Sequence, residues 1–174
     1  METCPFQSTT EIEVRYAETD QMGVVHHSVY AVWFEKARTD FFKQVGSTYA
    51  EIEKSGFTSP VLELNVRYRN PTRYGDFVRI HTTLEREGML HFRFRYRLFV
   101  GEVLCTVGST LHCFLKEGKP TRELPPEVFR LFPQTPKDFS EFFLDFIAFL
   151  SLIIHEKSEE ITIQCKIFLS LQKF

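Results

Sequence analysis

The sequence predicts an α+β domain in which one antiparallel β-sheet wraps around a long central helix. A stretch of about five helical turns, residues 28–45, is apolar on nearly every side, and such a helix must be enclosed by other structure. Four long runs of alternating apolar and polar residues then follow with short connections, at residues 60–69, 77–86, 89–100 and 102–115. This pattern is typical of antiparallel hairpins with one buried face.

The remaining boundaries follow from strand and helix-end signals. Residues 11–16 alternate and predict a first strand. Ser28, with His27 as its rival, is the predicted N-cap of the central helix, and Gly46 is predicted to end it. A short second helix is predicted over residues 48–54.

The last part of the chain differs in character from the rest. We divide the sequence into a domain over residues 1–135 and a hydrophobic C-terminal extension over residues 136–174, predicted to form a helix at 137–154 and a strand at 160–169. The most apolar run, residues 142–154, is shorter than the roughly 20 residues of a membrane span. The extension is expected to pack on the domain, on a sister subunit or on a membrane surface, and its role is open.

Composition narrows the classes of function. The 21 Lys and Arg residues against 23 Asp and Glu residues give a net charge of −2, so a strongly basic nucleic-acid-binding surface is not expected. The four cysteines, at 4, 105, 113 and 165, are expected to be small buried residues, and no Cys or His spacing suggests a metal site. The N-terminal residues lack an apolar stretch of signal-peptide length, so a cytoplasmic location is expected.

Asp20 stands in a polar loop closed by Gly23, just before the predicted central helix. The first N–H groups of that helix, around His27 and Ser28, have no intrahelical acceptor and can polarise a carbonyl or hold an oxyanion. A carboxylate beside such donors, without a Ser or Cys nucleophile motif nearby, suggests acyl hydrolysis with Asp20 as nucleophile or general base. An Asp in this position is more often a turn or capping residue, so spacing alone leaves both interpretations open.

A long, ordered set of motifs runs through most of the chain. It reads Arg-Tyr-Ala-Glu-Thr-Asp-Gln-Met-Gly-Val-Val-His-His-Ser-Val-Tyr over residues 15–30 and Phe-Glu-Lys-Ala-Arg over 34–38, with further matching segments at 66–76 and 118–125. These motifs resemble the hydroxybenzoyl-CoA thioesterase family, and more narrowly its YbgC-like acyl-CoA thioesterase branch. The resemblance covers about residues 8–133. It implies a hotdog fold, which is an antiparallel sheet wrapped around a long helix, and an assembly of two or four copies.

The resemblance also implies roles for individual residues. Asp20 matches the catalytic aspartate of the family. The backbone amide of His27 matches the group that polarises the thioester carbonyl, and the His27 side chain is expected to line the site. Substrate contacts are expected from Met22, Gly23, Val25, Ser28, Arg67, Arg69, Pro71, Arg73 and Tyr74. The three arginines among them either hold the phosphates or adenine of coenzyme A through charge-assisted hydrogen bonds or are solvated side chains of an exposed strand.

The sequence also predicts interactions for two other acidic residues near the site, Glu18 and Glu35. Glu18 either repels Asp20, which would raise the pKa of one of the two carboxyls, or forms a solvated pair with Arg15. Glu35 and Arg38 lie three residues apart on the predicted helix and are expected to form a structural salt bridge.

The function implied by the resemblance is hydrolysis of an acyl-CoA, or alternatively of an acyl-carrier-protein thioester, to a free acid and a thiol. The substrate would lie at the subunit interface of a homodimer or homotetramer, with Asp20 facing residues 71–74 of the partner subunit. No metal or cofactor is expected, because coenzyme A is part of the substrate. The alternatives are a non-catalytic acyl-CoA-binding or scaffold protein on the same fold, and a hotdog dehydratase, whose acid and His are normally placed differently.

Overall fold

One antiparallel sheet of five strands forms the main body of the computed structural model, which describes residues 2–132. In chain order the elements are β1 (Glu2–Glu13), a 3-10 turn (Tyr16–Glu18), α1 (Val29–Gln44), α2 (Tyr49–Lys54), β2 (Phe57–Thr58), β3 (Val61–Tyr68), β4 (Phe77–Glu87), β5 (His91–Val100), β6 (Val103–Cys113), β7 (Leu115–Lys116), β8 (Lys119–Pro120) and α3 (Pro126–Phe129). The large sheet has the order β1-β4-β5-β6-β3, and a small second sheet has the order β2-β7-β8. The predicted antiparallel sheet around a long helix is confirmed.

The first strand is longer and begins earlier than predicted. It spans Glu2–Glu13, whereas Tyr16 lies in the 3-10 turn. Its inward positions include Ser8 and Thr10, which are buried although they are polar. Because these small side chains carry no apolar alternation, the hydrophobic pattern could not reveal this part of β1. The strands β2, β7 and β8 have two residues each and are too short for any periodicity.

The helix α1 packs against the sheet along one side. Its buried side chains recur at intervals of three and four residues, which places them on one side of an α-helix: Tyr30, Trp33, Phe34, Ala37, Arg38, Phe41 and Phe42. The opposite side is open, since Val32 is 60% exposed and Glu35 and Lys36 are exposed as well. The expectation of burial on nearly every side is therefore wrong for that side. Gly46 follows the helix with a φ of 83°, as predicted for a helix end.

We call the sheet face that contacts α1 the inner face and the opposite one the outer face. Phe34 lies at the centre of the inner face, with its ring stacked on that of Tyr96 at a centroid distance of 4.1 Å. The same ring lies directly over Gly108 of β6, where an added Cβ would overlap Phe34 and approach the backbone oxygen of Asn65 to 2.9 Å. The missing side chain at Gly108 therefore allows the helix to lie close to the sheet.

A buried polar chain runs beside this contact. The expected salt bridge between Arg38 and Glu35 is not formed, and Glu35 is exposed. Arg38 instead donates through Nη1 to the Tyr96 hydroxyl at 3.3 Å. That hydroxyl lies 2.8 Å from Thr110 Oγ1, which in turn lies 2.9 Å from His112 Nε2. Burial, together with the charge of Arg38, lowers the pKa of His112 to about 4. The imidazole is therefore held neutral inside the fold.

This buried imidazole predicts acid-sensitive stability. The folded pKa of His112 is about 4, against about 6.5 when unfolded, so the unfolded chain binds the proton more readily. The free energy of unfolding should therefore fall as the pH drops below about 6.5, with about 2–3 kcal/mol lost by pH 4. Urea unfolding across this range should give a flatter pH profile for His112→Gln. The exposed His91→Gln should keep the wild-type slope, and equal slopes in all three proteins would contradict the assignment.

Some of the remaining predictions concern residues 2–132, and the others concern residues that the structure does not describe. Cys4, Cys105 and Cys113 are buried and unbridged, as expected. Within residues 2–132, no helix is long and apolar enough to span a lipid bilayer. The extension over residues 136–174, with Cys165 and its predicted helix and strand, lies outside the described residues.

Candidate active site

The loop that carries Asp20 is a tight, hydrogen-bonded turn. The Asp20 N–H donates to the Val24 oxygen at 2.9 Å, and the Gly23 N–H donates back to the Asp20 oxygen at 2.9 Å. Gly23 has a φ of 71°, which a residue with a Cβ rarely adopts. The sequence therefore forms this turn because a glycine stands three residues after Asp20.

Neighbouring segments fix the loop from both sides. The Val25 N–H donates to the Thr72 oxygen and the His26 N–H donates to the Glu18 oxygen, each at 2.9 Å. Arg73 reaches across and donates through Nη1 to the Gly23 oxygen at 3.2 Å. The loop after β3 and the loop before α1 are thus joined by direct hydrogen bonds.

Glu18 anchors the start of this loop to the helix. Its side chain accepts from the Trp33 indole at 3.2 Å and from Arg15, through the guanidinium at 2.8 Å and the N–H at 2.9 Å. Glu18 is only 6% exposed. Burial works to raise the pKa of this carboxyl, but the hydrogen bonds from Arg15 and Trp33 outweigh burial and lower the pKa. The pairing with Arg15 is confirmed, although Glu18 itself is buried, and a Glu18 pKa raised by Asp20 is not observed.

The Asp20 carboxylate is oriented by its own loop. Its Oδ1 accepts the Met22 N–H at 2.8 Å. Within the described part of the chain, no hydrogen bond reaches its second oxygen, which leaves Oδ2 available to a substrate or a water molecule.

The start of α1 presents an unused donor. Ser28 occupies the predicted N-cap position, but its side chain does not cap the helix. The Ser28 N–H instead points to His26 Nδ1 at 3.4 Å, and the Val29 N–H donates to the His26 oxygen at 3.0 Å. The His27 N–H has no acceptor among residues 2–132. The His27 oxygen accepts the Tyr68 hydroxyl at 3.0 Å, and this bond fixes the peptide unit that begins the helix.

A cavity of about 280 Å³ brings these groups together. Six of the predicted site residues line it: Asp20, Met22, Val25, His27, Arg69 and Pro71. Asp20 and Pro71 of the same chain line this one cavity.

Five of the predicted residues lie elsewhere. Gly23 and Ser28 flank the cavity as loop and helix-start residues, and Arg73 holds the loop through its bond to Gly23. Tyr74 is exposed and packs edge-on against Tyr16, with ring centroids 5.6 Å apart. Arg67 lines a second cavity on the outer face of the sheet.

Four residues that line the cavity were not predicted: Val24, Tyr30, Tyr68 and Asn70. Tyr30 belongs to the buried side of α1, and its hydroxyl lies 2.8 Å from buried Thr72 Oγ1. Tyr68 is the last residue of β3 and packs its ring against Tyr30 at 5.0 Å. The alternation of β3 places Tyr68 on the opposite face from Arg67, and this signal could have identified it.

The described residues contain no group of three or more His, Cys, Asp or Glu side chains that could hold a metal ion. The side chains that line the cavity supply the Asp20 carboxylate, the His27 ring, two tyrosine hydroxyls, the Asn70 amide and the Arg69 guanidinium, and the backbone adds the His27 N–H. This set can polarise a carbonyl and attack it, or activate a water molecule beside it.

Comparison with known proteins finds similarity to thioesterases. The family model described as the thioesterase-like superfamily matches residues 14–132. A protein of Bacillus subtilis, named putative acyl-CoA thioesterase YneP, is 41% identical over 113 residues, which cover 64% of this chain and 82% of the relative.

Solved structures show the same fold. A hypothetical protein from Thermus thermophilus is 44% identical, with a TM-score of 0.66, over 71% of this chain and 95% of that chain. A DHNA-CoA thioesterase from Staphylococcus aureus is 38% identical, with a TM-score of 0.63, over 83% of this chain and 93% of that chain. Both similarities support the hotdog fold that the sequence motifs implied.

Proposed function

Since the chain belongs to the thioesterase-like superfamily, we propose that it is an acyl-CoA thioesterase, which hydrolyses the thioester to a free carboxylic acid and coenzyme A. One observation carries this proposal. The Asp20 carboxylate and the unpaired His27 N–H belong to residues that line one cavity. Hydrolysis of a thioester needs both a group that attacks or activates water and a donor for the oxygen that becomes negative.

The donor acts on the carbonyl. The thioester oxygen would accept the His27 N–H at the positive end of α1, where negative charge is stabilised. The Tyr68 hydroxyl, through its bond to the His27 oxygen, would hold the next peptide unit, His27–Ser28, and so restrain the helix start that carries this N–H. The His27 ring, which packs on His26 at a centroid distance of 4.0 Å, would form part of the wall beside the reacting carbon.

Asp20 acts in one of two ways. As a nucleophile, its carboxylate oxygen bonds to the acyl carbon, the C–S bond breaks, the thiolate takes up a proton and water then cleaves the acyl-aspartyl anhydride. As a general base, Asp20 takes a proton from water, and the water oxygen bonds to the acyl carbon as the C–S bond breaks. A single turnover in ¹⁸O-water identifies a nucleophilic Asp20 when water attacks the Asp20 carbonyl of that anhydride, because the label then enters Asp20. The base route always labels the released acid, whereas unlabelled acid in the first turnover indicates a nucleophilic Asp20.

The lining of the cavity suggests how the substrate is held. Met22, Val25 and Pro71 with the Tyr30 and Tyr68 rings provide apolar and aromatic surface for an acyl group. Arg69 is exposed at the same cavity and would pair with a phosphate of coenzyme A. An acyl-carrier-protein thioester is the second candidate substrate, and the assay below includes one.

Release of free thiol from a panel of short, long and aromatic acyl-CoAs, and from one acyl-carrier-protein thioester, tests the proposal. Turnover on at least one substrate, with free acid as the second product, supports a thioesterase. Saturable acyl-CoA binding without thiol release on any substrate would favour the non-catalytic binding protein. An enoyl thioester as product would favour the dehydratase.

We further propose a homodimer that pairs two β3 strands. In the described residues β3 pairs with β6 on one side only, so its other edge carries unpaired backbone groups. Val61, Leu62 and Leu64 along this strand are each about half exposed. A long, apolar and unpaired edge is a template for pairing with another chain.

A charge on this edge should weaken the dimer. Leu64→Lys places an ammonium group on a half-exposed position of β3 and should raise the dimer dissociation constant at least about tenfold. Sedimentation equilibrium measures the change. Val103→Lys, at an equally exposed apolar position on β6, serves as the matched control and should leave the dimer intact. A wild-type chain that sediments as a monomer would reject β3 pairing.

A further inference from the structure

The outer face of the five-stranded sheet carries a second cavity, of about 370 Å³, which the proposed thioesterase reaction does not use. It is lined by Arg67, Arg95 and Arg97 together with His81 and several neutral polar residues, and no acidic side chain lines it. We propose that this outer cleft binds the phosphate groups of a small phosphorylated ligand. The proposal uses no residue that lines the Asp20 cavity, so it stands independently of the proposed function.

The strand register brings these side chains to one place. His81 of β4 is paired with Arg97 of β5, Arg97 with Val107 of β6, and Val107 with Arg67 of β3. These four residues therefore form one row across the sheet. Residues directly opposite on neighbouring strands have side chains on the same face, about 5 Å apart.

A second row lies beside the first. Thr83, Arg95, Ser109 and Asn65 are paired in the same way on the same strands, two residues along from the first row. Because side chains two residues apart on a strand share a face, the two rows form one surface. Three guanidinium groups thus lie among hydroxyl and amide groups that can donate hydrogen bonds.

Two of the arginines lack a carboxylate partner. Arg95 is paired with Glu85 at 2.7 Å. Across residues 2–132 neither Arg67 nor Arg97 forms an ion pair, and Arg97 lies over the Phe99 ring at 5.3 Å. Clustered cations without counter-charges repel each other, and a bound anion would relieve this repulsion. Planar guanidinium groups also match the oxygens of a phosphate in pairs.

His81 adds a donor of fixed orientation. Its Nδ1 lies 3.3 Å from the amide nitrogen of Gln7 and 3.1 Å from Thr9 Oγ1. The Gln7 amide nitrogen can only donate, so Nδ1 must accept, and the neutral ring carries its proton on Nε2. His81 therefore presents its Nε2 N–H to a bound anion.

Calorimetric titration with inorganic pyrophosphate tests the cleft. Arg97→Gln removes one unpaired guanidinium from the cleft and should weaken pyrophosphate binding about tenfold or more. Arg79→Gln is the matched control, because Arg79 lies on the same face but donates to Gly101 O at 2.6 Å and to Glu102 at 3.0 Å, outside the cleft. Its affinity should remain that of the wild type. Absence of saturable binding, or an equal loss in both variants, would reject the site.

A spectroscopic reading and a second probe complete the test. Pyrophosphate should shift the ring resonances of His81, and unchanged His81 signals at saturation would also reject the site. Adenosine 3′,5′-bisphosphate distinguishes the source of the phosphate. If both probes bind and Arg97→Gln weakens the binding of both, the phosphates are those of the nucleotide half of coenzyme A. If Arg97→Gln weakens the binding of pyrophosphate alone, the cleft binds a separate phosphorylated ligand. Either result supports the outer cleft.

Discussion

Asp20→Asn is expected to lower kcat for thioester hydrolysis by about 100-fold or more. An amide can neither attack the acyl carbon nor accept a proton from water. The substitution keeps the size of the side chain and an oxygen that can accept the Met22 N–H, which Asp20 Oδ1 accepts at 2.8 Å. The loop should therefore retain its shape. Thiol release under saturating acyl-CoA measures the change.

The control removes the same charge outside the cavity. Asp40→Asn changes a carboxylate of α1 that pairs with Lys36 at 2.5 Å and does not line the cavity. Its kcat should stay within about twofold of wild type, because an exposed ion pair contributes little. If Asp20→Asn kept activity within about tenfold of wild type, Asp20 would be neither nucleophile nor base. If Asp20→Asn and Asp40→Asn lost activity equally, the loss would come from net charge.

Phe34→Ala is expected to destabilise the fold by about 3–5 kcal/mol, because it removes a fully buried ring and leaves a cavity. Phe34 is 0% exposed and fills the space between Tyr96 and Gly108. Urea unfolding measures the free energy. Val32→Ala, two residues away on the exposed side of α1, should change stability by less than about 0.5 kcal/mol. A loss below about 1.5 kcal/mol in Phe34→Ala would mean that the sheet and helix close over the gap.

The periodic elements were predictable from the sequence. β4 and β5 alternate cleanly, and α1 carries its apolar residues at helical spacing, so hydrophobic periodicity identifies all three. The polar half of β1 was not predictable by this means. Its buried Ser8 and Thr10 are held by pairing with β4, which only the three-dimensional structure reveals.

The central residues of the candidate site were named from the sequence, but several residues at the edges of the cavity were misplaced or missed. Asp20 and His27 were identified together because they belong to one continuous motif. Arg67 was grouped with Arg69 by charge, although the register of β3 turns Arg67 to the outer face and leaves only Arg69 at the Asp20 cavity. Tyr68 was overlooked because a tyrosine at the end of a strand gives no charge or motif signal. Strand parity separates Tyr68 from Arg67, whereas Arg69 reaches the Asp20 cavity because it lies beyond the end of β3.

The close approach of Phe34 to Gly108 limits which variants of the protein can arise. A side chain at position 108 would occupy the volume of the Phe34 ring and would also approach the Asn65 backbone oxygen to 2.9 Å. The two positions therefore vary as a unit. In a library randomised at both positions, chains with a side chain at 108 should survive selection only with a smaller residue at 34. Each of the two substitutions made alone should give an unstable protein.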